Sequence, residues 1–292
     1  MKALIMIILI ISIVGCKKEA AKVGQSTDNI DNFADTIEAS LTSVGGATDD
    51  ANNESVVAES KQNLLHKILD QAFISNAYAA SCSRSLTNAS GVCTRNVNCE
   101  YGAYVWSGTA QLTFSNGSTC SLGAIGETYT RTVNFTRSGP RGSLQTTSSS
   151  RTPYTGSAIG GGIEVTKADN GTAVDVNILG QHKILTRTNG SVLFDMSFST
   201  TTPLQLNKLA RNGRIISSGV LEVYHNRAQF KAEHSMSNLS FSSSCCYPVS
   251  GTISTNFSGS LNGSGSITFN SCGNFTASYK GQTKTYAMAN CE

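Results

Sequence analysis

The sequence predicts a mainly β protein: an antiparallel β meander, whether curved sheet, sandwich or barrel-like, with a short helical N-terminal segment. Three observations predict it. Asn-Gly pairs recur at 116–117, 170–171, 189–190, 212–213 and 262–263, and both residues tolerate the positive φ of a type I′ hairpin turn. Apolar and polar residues alternate on either side of these turns, as a half-wet strand requires. Only 14% of residues are charged against 39% hydrophobic, with 27 glycines. That balance fits a turn-rich β protein and excludes a disordered polyampholyte.

The chain opens MKALIMIILIISIVGC: one charge at Lys2, an apolar run from Ala3 to Val14 interrupted only by Ser12, then Gly15-Cys16. The run is too short to cross a bilayer as a helix and has the proportions of a signal-peptide h-region. Its ending, Ile13-Val14-Gly15-Cys16, resembles the lipobox of bacterial lipoproteins. The resemblance implies that residues 1–15 are a signal peptide and that Cys16 is lipidated as the mature N-terminus. Lys17-Lys18 follow, without the Asp that retains such proteins at the inner membrane, so the expected address is the outer membrane. Its periplasmic or surface face is left open.

Residues 16–28 read as a polar tether. In 29–80 the apolar residues Ile30, Phe33, Ile37, Leu41 and Val44 fall at steps of three and four, and Gly45-Gly46 closes that helix. A second helical face carries Val57, Leu64, Leu65, Ile68, Leu69, Ala72 and Phe73. The two are expected to pair or to pack on the domain that follows, residues 81–292.

Inside that domain, pairing across the turns tests the meander. About Asn170-Gly171, Val165 falls opposite Val176 and Ile163 opposite Ile178, while the alternate pairs Glu164–Asn177 and Thr166–Asp175 are polar. About Asn226-Arg227, Val223 falls opposite Phe230 and Glu222 opposite Lys231. Successive hairpins between about residues 100 and 290 give roughly a dozen strands. Gly160-Gly161-Gly162 sits inside a strand pattern and marks a bend or bulge. A single Trp and polar outward faces argue against a transmembrane barrel.

Export makes disulfides the expected state of Cys82, Cys93, Cys99, Cys120, Cys245, Cys246, Cys272 and Cys291. They form two groups of four, with no cysteine from 121 to 244; pairing within each group is the economical expectation. Cys245 and Cys246 adjoin Pro248, which cannot continue a ladder. Adjacent strand residues face opposite ways, so each can reach a different partner, with Cys272 and Cys291 available. Neither Cys-x2-Cys nor His-Glu-x-x-His spacing occurs, so no metal site is expected. Cys-Cys-Tyr-Pro, Ser-Gly-Thr-Ile, Ser-Cys-Gly-Asn and the terminal Asn-Cys together resemble a cysteine framework of envelope and secreted lipoproteins of Gram-negative, including predatory, bacteria. That resemblance covers about a quarter of the chain and implies an envelope address, with no catalytic residue to carry over.

Candidate chemistry is sparse. His66 falls on the polar part of a predicted helix. His225 and His234 cannot share a metal, because the hairpin pairing separates them along the strand. The turn at Asn189-Gly190 sets His182 opposite Ser197 with Asp195 diagonal on the same face, a weak polar cluster with triad composition. No Gly-x-Ser-x-Gly elbow or oxyanion hole accompanies it. The net charge of +3 is scattered, which argues against nucleic acid as a partner. No cofactor is expected. The reading is a non-enzymatic, membrane-anchored envelope scaffold or binding and adhesion module, its partner an envelope protein, a glycan or an apolar ligand. A carrier of lipid in a curved sheet, lined by Val192, Phe194, Met196 and Phe198, stands second, and a hydrolase third.

The address is testable directly. Cys16→Ser should abolish acylation and move the protein from membrane pellets to the soluble fraction. Metabolic labelling with a fatty-acid analogue checks it, and an acylated, membrane-bound variant would contradict the lipobox reading.

Overall fold

The computed structural model describes residues 81–287, apart from 90–91, 102–103, 117–121, 141, 152–157, 211, 228, 243–244 and 246. Cys16, Cys120, Cys246, Cys291, His66, the signal peptide, the tether and the helical segment all lie outside the described residues, and of Cys82 only the backbone is described.

Every described element is a strand. They run β1 (Ser81–Ala89), β2 (Val92–Tyr101), β3 (Tyr104–Phe114), β4 (Thr128–Gly139), β5 (Gly142–Thr147) and β6 (Ser149–Arg151). Next come β7 (Ala158–Gly160), β8 (Gly162–Lys167), β9 (Val174–Thr186), β10 (Val192–Leu206) and β11 (Ile215–His225). The last are β12 (Phe230–Phe241), β13 (Pro248–Gly259), β14 (Gly263–Ser271), β15 (Asn274–Tyr279) and β16 (Gln282–Ala287). Fourteen of them form one antiparallel sheet, ordered largely as they occur in the chain, so the expected meander is the observed architecture. Its two outermost strands are β1 and β16, and no pairing joins these two among the described residues.

One interruption breaks the simple order. β5 and β8 both lie between β4 and β9: β8 pairs the Thr128–Arg131 end of β4 and β5 its Asn134–Gly139 end. The chain between them leaves as the small β6–β7 hairpin, and β6 lies against β9 and β10. The glycine run is where it returns. A Cβ on Gly161 would meet the Gly180 carbonyl oxygen at 2.7 Å, and the β8–β9 register shifts between Gly162 and Ile163. The bulge read from the sequence is therefore present, and only glycine permits the approach.

The pairings are met unevenly. Val165–Val176, Ile163–Ile178, Glu164–Asn177 and Thr166–Asp175 all occur as drawn. The turn itself is a wider loop, 168–173, in which Asp169 Oδ1 accepts from the amides of Gly171 (2.9 Å) and Ala173 (3.0 Å), and neither Asn170 nor Gly171 has positive φ. Around Asn226 the expected pairing is off by two residues: Val223 faces Ala232 and Glu222 faces Glu233. The cause is a four-residue loop, 226–229, closed by Gln229 at φ 57°, in place of a two-residue turn. A slip of two keeps every side chain on its face, and Lys231 still meets Glu222 at 2.6 Å, now diagonally. The hairpin turn with positive φ at both central residues is made by Lys280 (47°) and Gly281 (77°).

The sheet wraps one continuous core that reaches from Cys93 and Leu112 through Ile178, Phe198 and Leu221 to Phe275 and Ala277. A line of irregularities crosses β10 to β13. Buried positions in β12 are even from Phe230 to Met236 and odd at Leu239 and Phe241. β11 switches likewise between Ile216 and Gly219, and β13 between Pro248 and Ile253. Asn238 at the switch has φ 50°, and a Cβ on Gly251 would stand 2.4 Å from its carbonyl oxygen. Pro203, which donates no ladder bond, falls in the same zone, where the β10 pairing shifts.

Cys245 bonds Cys272. The first lies in the β12–β13 connection and the second in the β14–β15 turn, at one end of the sheet, so one bridge ties four strands together. Pro248 opens β13, the strand position a proline tolerates. Cys93 and Cys99 are also disulfide-bonded; six residues apart on β2, about 20 Å, they do not bond each other. The register sets Cys82 across from Cys99.

Cys245 and Cys272 are 27 residues apart in sequence, a loop whose closure stabilises the fold by about 3–4 kcal/mol. Cys272→Ala should lower stability to urea by that order, a chelator should leave the wild type unchanged, and non-reducing peptide mapping should recover the Cys245–Cys272 pair. A Cys245–Cys246 peptide would contradict the staple.

Candidate functional site

β9 and β10 form because their alternation is strongly apolar on one face: Val174, Val176 and Ile178 on β9, and Met196, Phe198, Leu204 and Leu206 on β10, are all in the core. The turn between them is fixed by Asn189, whose Oδ1 accepts from the amide (3.0 Å) and hydroxyl (2.7 Å) of Ser191, with Gly190 at φ 80°. A register shift between Val192 and Phe194 brings His182 opposite Ser197.

On the outer face of this hairpin His182 Nε2 bonds Asp195 Oδ1 at 2.8 Å, with both side chains nearly buried. Asn226, from the β11–β12 loop, donates to the same carboxylate oxygen (2.6 Å) and lies 3.3 Å from Ser197 Oγ. The loop is docked here by its backbone too, Asn226 N donating to the Asp195 carbonyl at 3.0 Å. The structure thus joins His182 to Asp195 and Ser197 to Asn226. Among the described residues no hydrogen bond links Ser197 to His182. A nucleophilic relay needs the serine hydroxyl on the imidazole and the carboxylate on the other ring nitrogen; here the asparagine stands in the serine's path, and Ser197 is 2% exposed. The arrangement is a polar clamp that fastens the β11–β12 loop over β10.

The inner face of the same strands carries a group the sequence reading missed. Gln181 lies opposite Phe198 and Lys183 opposite Met196, and Lys183 Nζ sits 5.8 Å from the centre of the Phe198 ring, which fixes these side chains on the core side. Directly opposite residues share a face: Thr146 pairs Lys183 and Phe135 pairs Thr146, so Arg137 and Arg131, two and four residues from Phe135 on β4, face inward as well. All of Gln181, Lys183, Arg131 and Arg137 are buried. The signal was present as the charged positions of β4 and β9, but their face follows only from the β5–β8 break and the bulge at Gly180.

His225 and His234 do not meet. His234 lies opposite Leu221, four residues from His225 or about 13 Å along the strand. Burial lowers the pKa of both. His225 packs on Phe230 at 5.2 Å, while His234 Nδ1 shares a hydrogen bond of 2.8 Å with Thr255 Oγ1 inside the core. No group of three or more metal-ligating side chains occurs among the described residues.

A second candidate surface is the outer side of β13–β16. Thr252, Thr268, Thr276 and Thr285 form one cross-strand row, and Ser254, Ser266, Ser278 and Thr283 the next. The hydroxyls bond one another: Thr276 to Thr285 at 3.3 Å and Ser278 to Thr283 at 3.0 Å. An open groove of about 400 Å³ runs over this face between Ser254, Asn256, Ser266, Ser278 and Lys280. Comparison of the chain with family models, with curated proteins and with solved structures returns no match.

His234 supplies a pH test. Full burial takes its pKa from 6.5 down to about 3. The folded histidine therefore stays neutral while the unfolded one takes a proton below about pH 6.5, so stability is whole above that pH and falls as pH drops toward 3, by about 1 kcal/mol per unit. Urea midpoints between pH 7 and pH 4 should fall less steeply for His234→Leu than for the wild type. Parallel slopes would contradict the assignment.

Proposed function

We propose that this chain is a lipid-anchored protein of the bacterial envelope whose sheet acts as a non-enzymatic binding module, with the outer face of β13–β16 as its contact surface. The lipobox and the apolar run before Cys16 support the address. The observation that carries the binding reading is the pair of hydroxyl rows. Outward positions on β13, β14 and β15 are Ser, Thr and Asn from Thr252 to Ser278, and Thr283 and Thr285 extend them on β16. Strand spacing puts these hydroxyls about 4.8 Å apart across the sheet, each able to donate and accept. A regular, uncharged lattice of this kind matches a polyhydroxylated polymer, so the partner class is an envelope glycan. The disulfide at the end of β12–β15 holds the rows in register.

A carrier of an apolar ligand is the second reading, motivated by the inward apolar residues Met196 and Phe198 of β10. Hydrolysis at His182, Asp195 and Ser197 draws no support from the clamp geometry.

Sedimentation with purified peptidoglycan sacculi and with lipopolysaccharide-derived O-polysaccharide tests the face. Wild type should co-sediment with or be retained by at least one of them. The double variant Ser266→Glu/Thr268→Glu, with an unchanged melting temperature, should bind at least tenfold less. Retention of full binding by that variant, or binding to neither polymer, would defeat the proposal.

A further inference from the structure

The groove on the outer side of β13–β16 has a direction. It is lined by Ser254 and Asn256 of β13, Ser264 and Ser266 of β14, and Ser278 of β15, so it crosses the strands instead of following one of them. Ser254, Ser266, Ser278 and Thr283 form one wall, and Asn256 with Ser264 forms the other. Between the walls Thr255 and Tyr279 turn inward and are buried, and Gly265 pairs both, so the floor is sheet backbone. The walls stay straight: β13–β14 and β15–β16 pair without a shift, and β14–β15 shifts only beyond Phe269.

These dimensions select among glycans. Walls two residues apart along each strand stand about 7 Å apart, and four strands span about 14 Å, a slot one pyranose ring wide and roughly three rings long. No aromatic ring stands in either wall, so hydrogen bonds at the ring edges carry recognition, not stacking on ring faces. A ring lying flat on the floor reaches both walls only through equatorial substituents, because axial ones point at the floor or at water. In the gluco series a β-1,4 linkage is equatorial at both ends and keeps the chain straight. An α-1,4 linkage is axial at one end and turns the chain out of the slot.

Asn256 is the amide in these walls. It is exposed, lies opposite Glu233 on β12 and Ser264 on β14, and offers a donor and an acceptor to the matching pair on an acetamido group. Successive sugars of a straight β-1,4 chain are turned over, so acetamido groups face a given wall at every second ring. One asparagine therefore serves a slot of this length. We infer that the groove takes an N-acetylated, β-1,4-linked glycan strand of the cell wall, lying across β13–β16 with an acetamido group on Asn256. The inference rests on the glycan-binding reading and adds to it the polymer, its linkage and its direction on the sheet.

NMR titration of the full chain with three tetrasaccharides tests it: chitotetraose (β-1,4, N-acetylated), cellotetraose (β-1,4, no acetamido group) and maltotetraose (α-1,4). Chitotetraose should bind about fivefold more tightly than cellotetraose, the difference made by one hydrogen-bonded group, and about tenfold or more above maltotetraose. Asn256→Ala should remove the chitotetraose advantage and leave the affinity for cellotetraose unchanged. Ser278→Val, a substitution that strands favour, should weaken both β-linked ligands about fivefold. Sacculi stripped of their stem peptides should compete with chitotetraose. Equal binding of maltotetraose and chitotetraose would overturn the linkage and the direction, and an Asn256→Ala variant that keeps the chitotetraose advantage would overturn the acetamido contact. Chitotetraose binding with which stripped sacculi fail to compete would overturn the cell-wall source. Retention of O-polysaccharide without binding of chitotetraose or stripped sacculi would overturn this inference and leave the glycan-binding reading standing, whereas binding of no glycan at all would sink both.

Discussion

A single antiparallel sheet has one face to bury, and everything else in this protein depends on its wrapping that face around itself. Fourteen strands laid flat would leave an apolar side open to water, at about 25 cal/mol for each Å² exposed, and large twisted sheets curl for this reason. The irregular line through Pro203, Gly219, Asn238 and Gly251 lets the inward set of residues change from one parity to the other while staying in one core. Gly251 admits the Asn238 carbonyl at a distance no side chain permits, and Asn238 adopts the left-handed φ that asparagine tolerates better than most residues. The bend is thus written into a few backbone-permissive residues, and the apolar alternation supplies its driving force.

The same wrapping explains why polar groups occur on both faces of β9 and β10. On the outer side Asp195 collects His182 and Asn226 and so pins the β11–β12 loop; each polar atom it uses is brought by a different strand or loop. On the inner side Gln181 and Lys183 interrupt an otherwise apolar wall where β5 ends and β8 begins. A break in a strand frees backbone and side-chain positions that a continuous strand would fill with branched apolar residues. Fold and candidate site therefore share one cause. The chain leaves the sheet at Ser148 and returns at Gly161, and the faces of the neighbouring residues are set by that detour.

The cysteines at the far end act differently. Cys245 and Cys272 link two adjacent turns, constraining the unfolded chain more than they shape the folded one. They sit beside the hydroxyl rows of β13–β16, whose regularity needs a sheet that does not fray. Lys280 and Gly281 close the last hairpin with the backbone twist such turns require, so the rows stay opposed as far as Thr283 and Thr285.

Antiparallel pairing, the 165–176 register and the partnership of His182 with Asp195 were legible because each depends on alternation and a local turn, which are properties of neighbouring residues. The Asn226 hairpin was misread by two positions: loop length hangs on Gln229 adopting a left-handed conformation, and nothing in its side chain announces that. Likewise Asn170-Gly171 marks a turn correctly, yet Asp169 captures two backbone amides and replaces the tight turn with a wider loop. The sequence by itself determined strand content, the faces of most side chains and the cysteine supply. Only tertiary structure decided that β5 and β8 share one slot, that polar residues of β4 and β9 face inward beside it, and that Ser197 answers to Asn226 and not to His182. Those outcomes depend on contacts between residues tens of positions apart, whose geometry is set by how the whole sheet bends.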